Sequence, residues 1–311
     1  MEMLDLRETF VDELIAIGAE EERLVVLDAD VSRTSRTRRF RDKYPRKFYD
    51  FGVAEQNMVG AAAGLATTGR IPVAVTFSVF TSMRAAEQVR TSVCYPKLNV
   101  KIIGGYAGLS NGKDGATHQS IEDIAITRSF PNLVVMSPSD PILAKKIARA
   151  AIEYQGPVYI RLEYEKAPNI YHDDFQFQIG HGYKLREGKD ITVISYGIAI
   201  SRVMEAADIL AKEGIMLEII DMPTIKPLDR EIIIESVKKT KAIITVEDHN
   251  IIGGLASATC QCLVENHLNP WYKGLAINDI FTESGPNDKV REKYGIGTQN
   301  IIQAVKNLHT L

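Results

Sequence analysis

Apolar residues recur along this chain in two alternating rhythms, one helical and one strand-like. Leu6, Phe10, Leu14 and Ile17 share one helical stripe within residues 5–18. Short apolar runs follow at Leu24–Asp28, Val73–Phe77, Asn99–Ile103, Leu133–Met136 and Val158–Arg161. Their length and branched side chains predict buried strands. A shorter strand-like segment, Lys47–Asp50, leads into a helix from Ala54 to about Thr68. Further helices are predicted over 82–93, 120–129 and 140–154. Strands that alternate with helices predict a mostly parallel sheet covered on both faces.

The rhythm breaks once. Lys166–Phe175 is polar and irregular, which marks a linker. A second alternating unit follows: strand 191–195, helix 199–213, strand 217–221, helix 229–238 and strand 242–246. Glu247-Asp248-His249 then leads to Gly253-Gly254-Leu255 and a helix to about Asn266, and a helix over 298–308 closes the chain. The expected fold class is therefore α/β, with two α/β domains at 1–168 and 190–311 and a linker at 169–189.

Composition narrows the functional classes. The 311 residues suit two ordinary domains. A net charge of −3 gives no general pull toward nucleic acid or an anionic membrane. The basic run Ser32–Arg41, continued by Arg46 and Lys47, lacks aromatic interleaving. It reads as a solvated loop and helix, or as a contact for a phosphorylated ligand or partner chain. No apolar run reaches the ~20 residues that a membrane-spanning helix needs. Residues 1–8 are acidic and amphipathic, unlike a signal peptide. Cys94, Cys260 and Cys262 form an odd, sparse set, which favours a reducing compartment such as the cytoplasm over a disulfide framework.

Candidate chemistry gathers where strands end. Asp28-Ala29-Asp30 closes one strand, and ligands collect at the carboxyl ends of parallel strands. Glu55 falls in the first turn of a helix of small residues. It is either an ordinary first-turn acid, favoured by the helix dipole, or a carboxyl in an apolar setting suited to acid–base work. Phe77 and Phe80 are core residues or an apolar face for a flat ring. The loop Gly104–Gln119 carries Asp114, His118 and Gln119 among five glycines, but has neither phosphate-loop nor dinucleotide-fingerprint spacing. Arg161 ends a strand beside Glu163 and Glu165, as a surface ion pair or an anion clamp. Gly60 and Gly64 admit close packing, either within the subunit or against another one. His249 is expected to be structural or interfacial.

Taken in order, Gly52-Val-Ala-Glu-Gln56, Thr76-Phe-Ser-Val-Phe80, Asp114-Gly-Ala-Thr-His-Gln119 and Pro157-Val-Tyr-Ile-Arg161 resemble the pyrimidine-binding domain of transketolases. Asp190 onward, with Glu247–Leu255, resembles that family's C-terminal domain. The Gly-Asp-Gly that marks the family's diphosphate-binding domain is missing. The resemblance therefore implies the C-terminal half of a split transketolase. Such a chain pairs with an N-terminal transketolase subunit that carries the Mg2+ and diphosphate site, two of each chain together. It implies thiamine diphosphate as cofactor and sugar phosphates as substrates, with no nucleic acid and no membrane. Glu55 then meets the cofactor's pyrimidine nitrogen, Phe77 and Phe80 hold the ring, and Asp30 lines the pocket. Asp114 and His118 meet substrate hydroxyls, with His118 also catalytic, and Arg161 grips the sugar phosphate.

Three positions depart from the family pattern: Tyr106 where many members have a phosphate-binding His, Met83 in place of an aromatic, and Gln56 in place of His. Rival readings are the β chain of a 2-oxoacid dehydrogenase decarboxylase, a deoxyxylulose-phosphate synthase-like chain and a non-catalytic regulatory subunit.

Overall fold

Every predicted apolar run becomes a strand in one of two sheets. The computed structural model describes residues 3–310; Met1, Glu2 and Leu311, at the outer ends of the two expected domains, lie outside the described residues. In chain order the first part holds β1 (Met3–Asp5), α1 (Leu6–Glu20), β2 (Leu24–Asp28), α2 (Arg38–Lys43), β3 (Phe48–Asp50), α3 (Glu55–Thr67), β4 (Ile71–Phe77), β5 (Lys101–Gly105), α4 (Asp123–Ser129), β6 (Val134–Met136), α5 (Pro141–Glu153), β7 (Val158–Leu162) and β8 (Lys166–Pro168). The second part holds β9 (Tyr183–Arg186), β10 (Ile191–Ser195), α6 (Ala199–Lys212), β11 (Leu217–Asp221), β12 (Thr224–Lys226), α7 (Arg230–Thr240), β13 (Ala242–Asn250), α8 (Leu255–Glu265), β14 (Trp271–Ile277), α9 (Asn287–Lys293) and α10 (Thr298–His309).

One sheet has seven strands in the order β12-β6-β7-β5-β4-β2-β3, parallel except for the β12–β6 pair. The other has five in the order β14-β13-β10-β11-β9, parallel except for β9. β1 and β8 form a small antiparallel pair. Two mostly parallel α/β sheets are thus present, as the sequence predicts. Central strands such as β2, β7 and β10 are buried along their whole length, which explains why they read as mostly apolar runs without alternation. Side-chain caps start several helices: Asp140 accepts from the Leu143 N–H at 2.6 Å with Pro141 at the first helical position, and Asp229 accepts from the Ile232 N–H at 3.2 Å.

The structure differs from the expected pattern in two places. Residues 82–93 are not one α-helix but two π-helical segments, Phe80–Arg84 and Gln88–Cys94. Buried Ala85, Val89 and Val93 lie four apart, a spacing that either helix type satisfies. The short strands β1, β8, β9 and β12, and the seven-residue β14, also escape the apolar pattern. β9 falls inside the expected linker but pairs with β11, and β12 leaves the second part of the chain to extend the first sheet.

The polar segment after β8 is stapled down rather than loose. Asp140 accepts from the Ile170 and Tyr171 N–H groups at 2.6 and 2.8 Å. The Tyr171 hydroxyl and the Ser139 hydroxyl donate to Asp221 Oδ2 at 2.8 and 2.5 Å. Asp221 ends β11, so one carboxyl joins both parts of the chain. Burial pushes it up to about 7, opposed by the Ser139 and Tyr171 hydrogen bonds and reinforced by Asp140. Because its folded value is raised, the stability it contributes is complete below about pH 4 and is lost as pH rises through about 7. Asp221→Asn is expected to flatten this part of the melting-temperature profile measured from pH 4 to 8. A variant that keeps the wild-type slope would eliminate Asp221 as its source.

Candidate active site

Four neighbouring strands, β5-β4-β2-β3, deliver the candidate residues to one edge of the first sheet. Tyr106 follows β5, Phe77 ends β4, Asp30 follows β2, and Glu55 begins the helix after β3. This is the carboxyl edge, where parallel sheets collect ligands.

Glu55 is the first residue of α3 and is 2% exposed. Its helix buries Met58, Val59, Ala62 and Ala63, the small apolar face that the sequence predicts. The setting is not uncharged, however. Arg84, at the end of the first π-helical segment, donates from Nη1 to Glu55 Oε1 and Oε2 at 2.9 and 2.8 Å. Among the described residues no other side chain donates to this carboxylate. The same guanidinium lies 4.1 Å from the Phe80 ring centroid. Phe80 stands 5.9 Å from Phe77, and the His118 ring meets Phe80 edge-on at 5.4 Å. Tyr106 extends the group, 4.9 Å from Phe77. Glu55, Phe77, Phe80 and His118 are therefore brought together, and Arg84 and Tyr106 join them.

The loop after β5 is denser than its glycines suggest. A Cβ on Gly104 or Gly105 would collide with the Tyr159 or Tyr164 ring, and one on Gly112 would lie 2.6 Å from Asn287 Oδ1. These glycines make room for protein, not for a ligand. Buried Gln119 is likewise structural: its amide donates to the Gly112 and Glu283 carbonyls at 3.3 and 3.2 Å. Asp114 is exposed and accepts from Asn111 Nδ2 at 2.7 Å. Half-buried His118 pairs through Nδ1 with the Thr117 hydroxyl at 2.9 Å. Asp30 is exposed, with its N–H on Asp50 Oδ1 at 3.1 Å. Asp30 and Tyr106 hold φ of 60° and 53°. Such left-handed conformations in residues other than glycine are uncommon and cluster at functional sites.

The structure places Arg161 apart from this expectation. Its side chain is fully buried. Nε donates to Asp123 Oδ2 at 3.1 Å, Nη1 to Glu163 Oε1 at 3.4 Å, and Nη2 to the Asp248 carbonyl at 2.6 Å. All three nitrogens have partners inside the protein, so the side chain is neither a surface ion pair nor an open clamp. Its effect on the site is indirect. Asp123 Oδ2 also accepts from the Tyr159 hydroxyl at 2.9 Å, which pairs with Ser78 Oγ at 2.6 Å. Ser78 lies between Phe77 and Phe80 in the chain, so the buried cation supports the aromatic pair through three side chains. His249 is structural as expected. Its Nε2 accepts from the Ala125 N–H at 3.3 Å, which leaves Nδ1 to donate to the Asn250 carbonyl at 2.7 Å.

Sequence reasoning missed Arg84, Asp123 and Tyr159. Arg84 and its carboxylate are 29 residues apart, and Asp123 lies 38 residues from Arg161. No local spacing signals such pairs. Among the described residues, no cluster of three His, Cys, Asp or Glu side chains is placed to hold a metal ion. No helix among the described residues is long and apolar enough to cross a membrane, and Cys94, Cys260 and Cys262 are free thiols.

Two family models match this chain. A family model described as "Transketolase, pyrimidine binding domain" matches residues 2–168, and one described as "Transketolase, C-terminal domain" matches 180–301. A putative transketolase C-terminal section from Methanocaldococcus jannaschii is 45% identical over 303 residues, 96% of this chain and 95% of that one. A 6-deoxy-6-sulfo-D-fructose transketolase subunit from a Clostridium species is 39% identical, over 96% of this chain and 92% of that one. A solved structure described as a split gene transketolase, inactive beta4 tetramer, superposes with a TM-score of 0.91 at 42% identity, covering 99% of both chains.

Removing Arg161 would leave Asp123 and Glu163 as buried charges without their cation. Arg161→Met is expected to cost about 3–5 kcal/mol of folding stability, read from denaturant unfolding. A loss below about 1 kcal/mol, the range of an exposed ion pair, would contradict the buried arrangement.

Proposed function

This chain belongs to the transketolase family, and from that premise we propose that it works as the C-terminal subunit of a split transketolase. The reaction is the transfer of a two-carbon ketol unit from a ketose phosphate to an aldose phosphate. The observation that carries this reading is a carboxylate with almost no exposure, Glu55, beside a half-buried pair of phenylalanines and a histidine on one sheet edge. A flat aminopyrimidine needs such a set: an acid to hydrogen-bond a ring nitrogen and apolar faces to hold the ring. The residues fit the pyrimidine half of thiamine diphosphate, which when bound supplies a stabilised carbanion and an electron sink.

Each side chain then has a separate task. Glu55 hydrogen-bonds the pyrimidine nitrogen and shares its proton. Phe77 and Phe80 fix the ring plane and exclude water. Asp30 lines the pocket from the neighbouring strand end. His118, edge-on to Phe80, is placed to meet substrate hydroxyls, with exposed Asp114 on the same loop; His118 is also the candidate for moving a substrate proton. Mg2+ and the diphosphate belong to an N-terminal partner subunit in this reading, with two of each chain in the assembly. The inactive state named for the split-gene relative supports dependence on a partner. The sugars differ among the relatives, one named for 6-deoxy-6-sulfo-D-fructose and another for apulose 4-phosphate. Arg161 stays the candidate for the substrate's anionic end, and its buried bonds would have to rearrange for it to reach that end.

The test is ketol transfer from xylulose 5-phosphate to ribose 5-phosphate with thiamine diphosphate and Mg2+. Turnover is expected only when this chain is mixed with an N-terminal subunit, and Glu55→Gln in that mixture is expected to lose about 10²–10⁴-fold in kcat. Turnover by the chain alone would contradict the split assignment. A fully active Glu55→Gln complex would remove Glu55 from the chemistry.

A further inference from the structure

Glu55 already has a partner with the chemistry of the ring it is meant to hold. The Arg84 guanidinium is flat, and it presents N–H donors to both oxygens of the carboxylate at 2.8–2.9 Å. It also covers the Phe80 ring at 4.1 Å. An aminopyrimidine seated at this site needs the same two groups, the Glu55 carboxyl to hydrogen-bond its ring nitrogen and an aromatic face to lie on. The two groups compete for the same carboxylate and the same aromatic side chain.

We infer that Arg84 is a positioning residue that occupies the pyrimidine seat on Glu55 and Phe80, and that cofactor binding requires its displacement. The inference rests on the family reading above and deepens it. Arg84 holds the Glu55 carboxylate toward the sheet edge, where the dipole of α3 alone would act on it, and yields that carboxylate to the ring.

Three features make the exchange feasible. Arg84 is 45% exposed, whereas Glu55 is 2% exposed, so the cation can swing into water while the acid stays fixed. With its cation facing water, the pair is weaker than one buried on both sides. Arg84 also ends a π-helical turn, and the Ala85 N–H that follows bonds back to the Phe80 carbonyl at 3.0 Å. π-turns are local irregularities that recur at functional sites. A guanidinium with a role only in folding has no need to lie on the face of Phe80, where the ring is to sit.

The experiment measures binding, not turnover. The complex of this chain with its N-terminal subunit is titrated with thiamine diphosphate, and separately with 4-amino-5-hydroxymethyl-2-methylpyrimidine, by calorimetry. The second compound has no phosphate, so attraction between Arg84 and the diphosphate does not enter. Arg84→Met is expected to bind the pyrimidine about three- to tenfold more tightly than the parent, as expected when a competitor of this exposure is removed. Arg84→Lys, which keeps the charge but not the flat shape, should fall between the two. The gap between parent and Arg84→Met should narrow between 0.05 and 0.5 M salt, because salt screens the bridge. Equal or weaker pyrimidine binding by Arg84→Met would overturn this inference while leaving the family reading intact. Failure of the parent and the variant alike to bind either compound would overturn both.

Discussion

The arrangement of this protein depends on one buried cation. Arg161 sits in β7 of the first sheet, and its guanidinium is shared by Asp123 on α4, Glu163 just past β7 and the Asp248 carbonyl on β13 of the second sheet. Burying a charge is costly unless its hydrogen-bonding capacity is met. Here it is met by groups from both halves of the chain, so the two sheets must be in place together. Arg291, fully buried in α9, completes the other side by donating to Asp248 Oδ2 at 2.9 Å and to Glu165 at the same distance. The charges at this junction fix the orientation of the two halves more specifically than apolar packing alone. The same network reaches the aromatic pair through Asp123, Tyr159 and Ser78, so the geometry of the site and the joining of the halves have a common origin.

Much of the architecture was legible because buried parallel strands leave a strong mark. β2, β4, β7, β10 and β11 are mostly apolar and buried over nearly their whole length, and helices such as α5 and α7 begin at acidic caps visible in the chain. β14 was not legible because its first half alternates between exposed and half-buried positions and only Leu275–Ile277 is buried. β12 has three residues and pairs with a strand about 90 residues earlier in the chain. The site was legible in part. Glu55, Phe77, Phe80 and His118 converge because they follow adjacent strand ends, a consequence of alternation that a sequence reader can follow. Arg161 read as an anion clamp because it stands at a strand end, and as a surface ion pair because acids lie nearby. Its burial comes with Asp123, Tyr196 and Asp248 of β13 packed around it, a tertiary fact without local trace. Arg84 escaped notice for a similar reason: its partner lies on another helix.

The glycine-rich loop shows how two meanings of one residue type can be confused. Glycine permits the close approach of any group. Here Gly104 and Gly105 admit tyrosine rings, and Gly112 and Gly115 admit the segment around Ser284–Asn287. The loop that carries Asp114 and His118 is thereby clamped between the first sheet and the chain that follows β14. It presents its polar side chains from a packed support, and precise placement of polar groups depends on such support.

β12 has a consequence for how this molecule can be taken apart. The polar stretch after β8 looks like a seam, a natural place for recombination to exchange one half for another's. Yet whatever joins there also brings the edge strand of the first sheet, a lysine whose ammonium bonds to the Arg128 and Phe130 carbonyls, and the Asp221 carboxyl that fastens Tyr171. A foreign second half would arrive with its own edge and its own fasteners, cut to a different first sheet. The two halves are therefore fitted to each other, and a crossover in the linker would part β12 and Asp221 from the strand and the tyrosine they match.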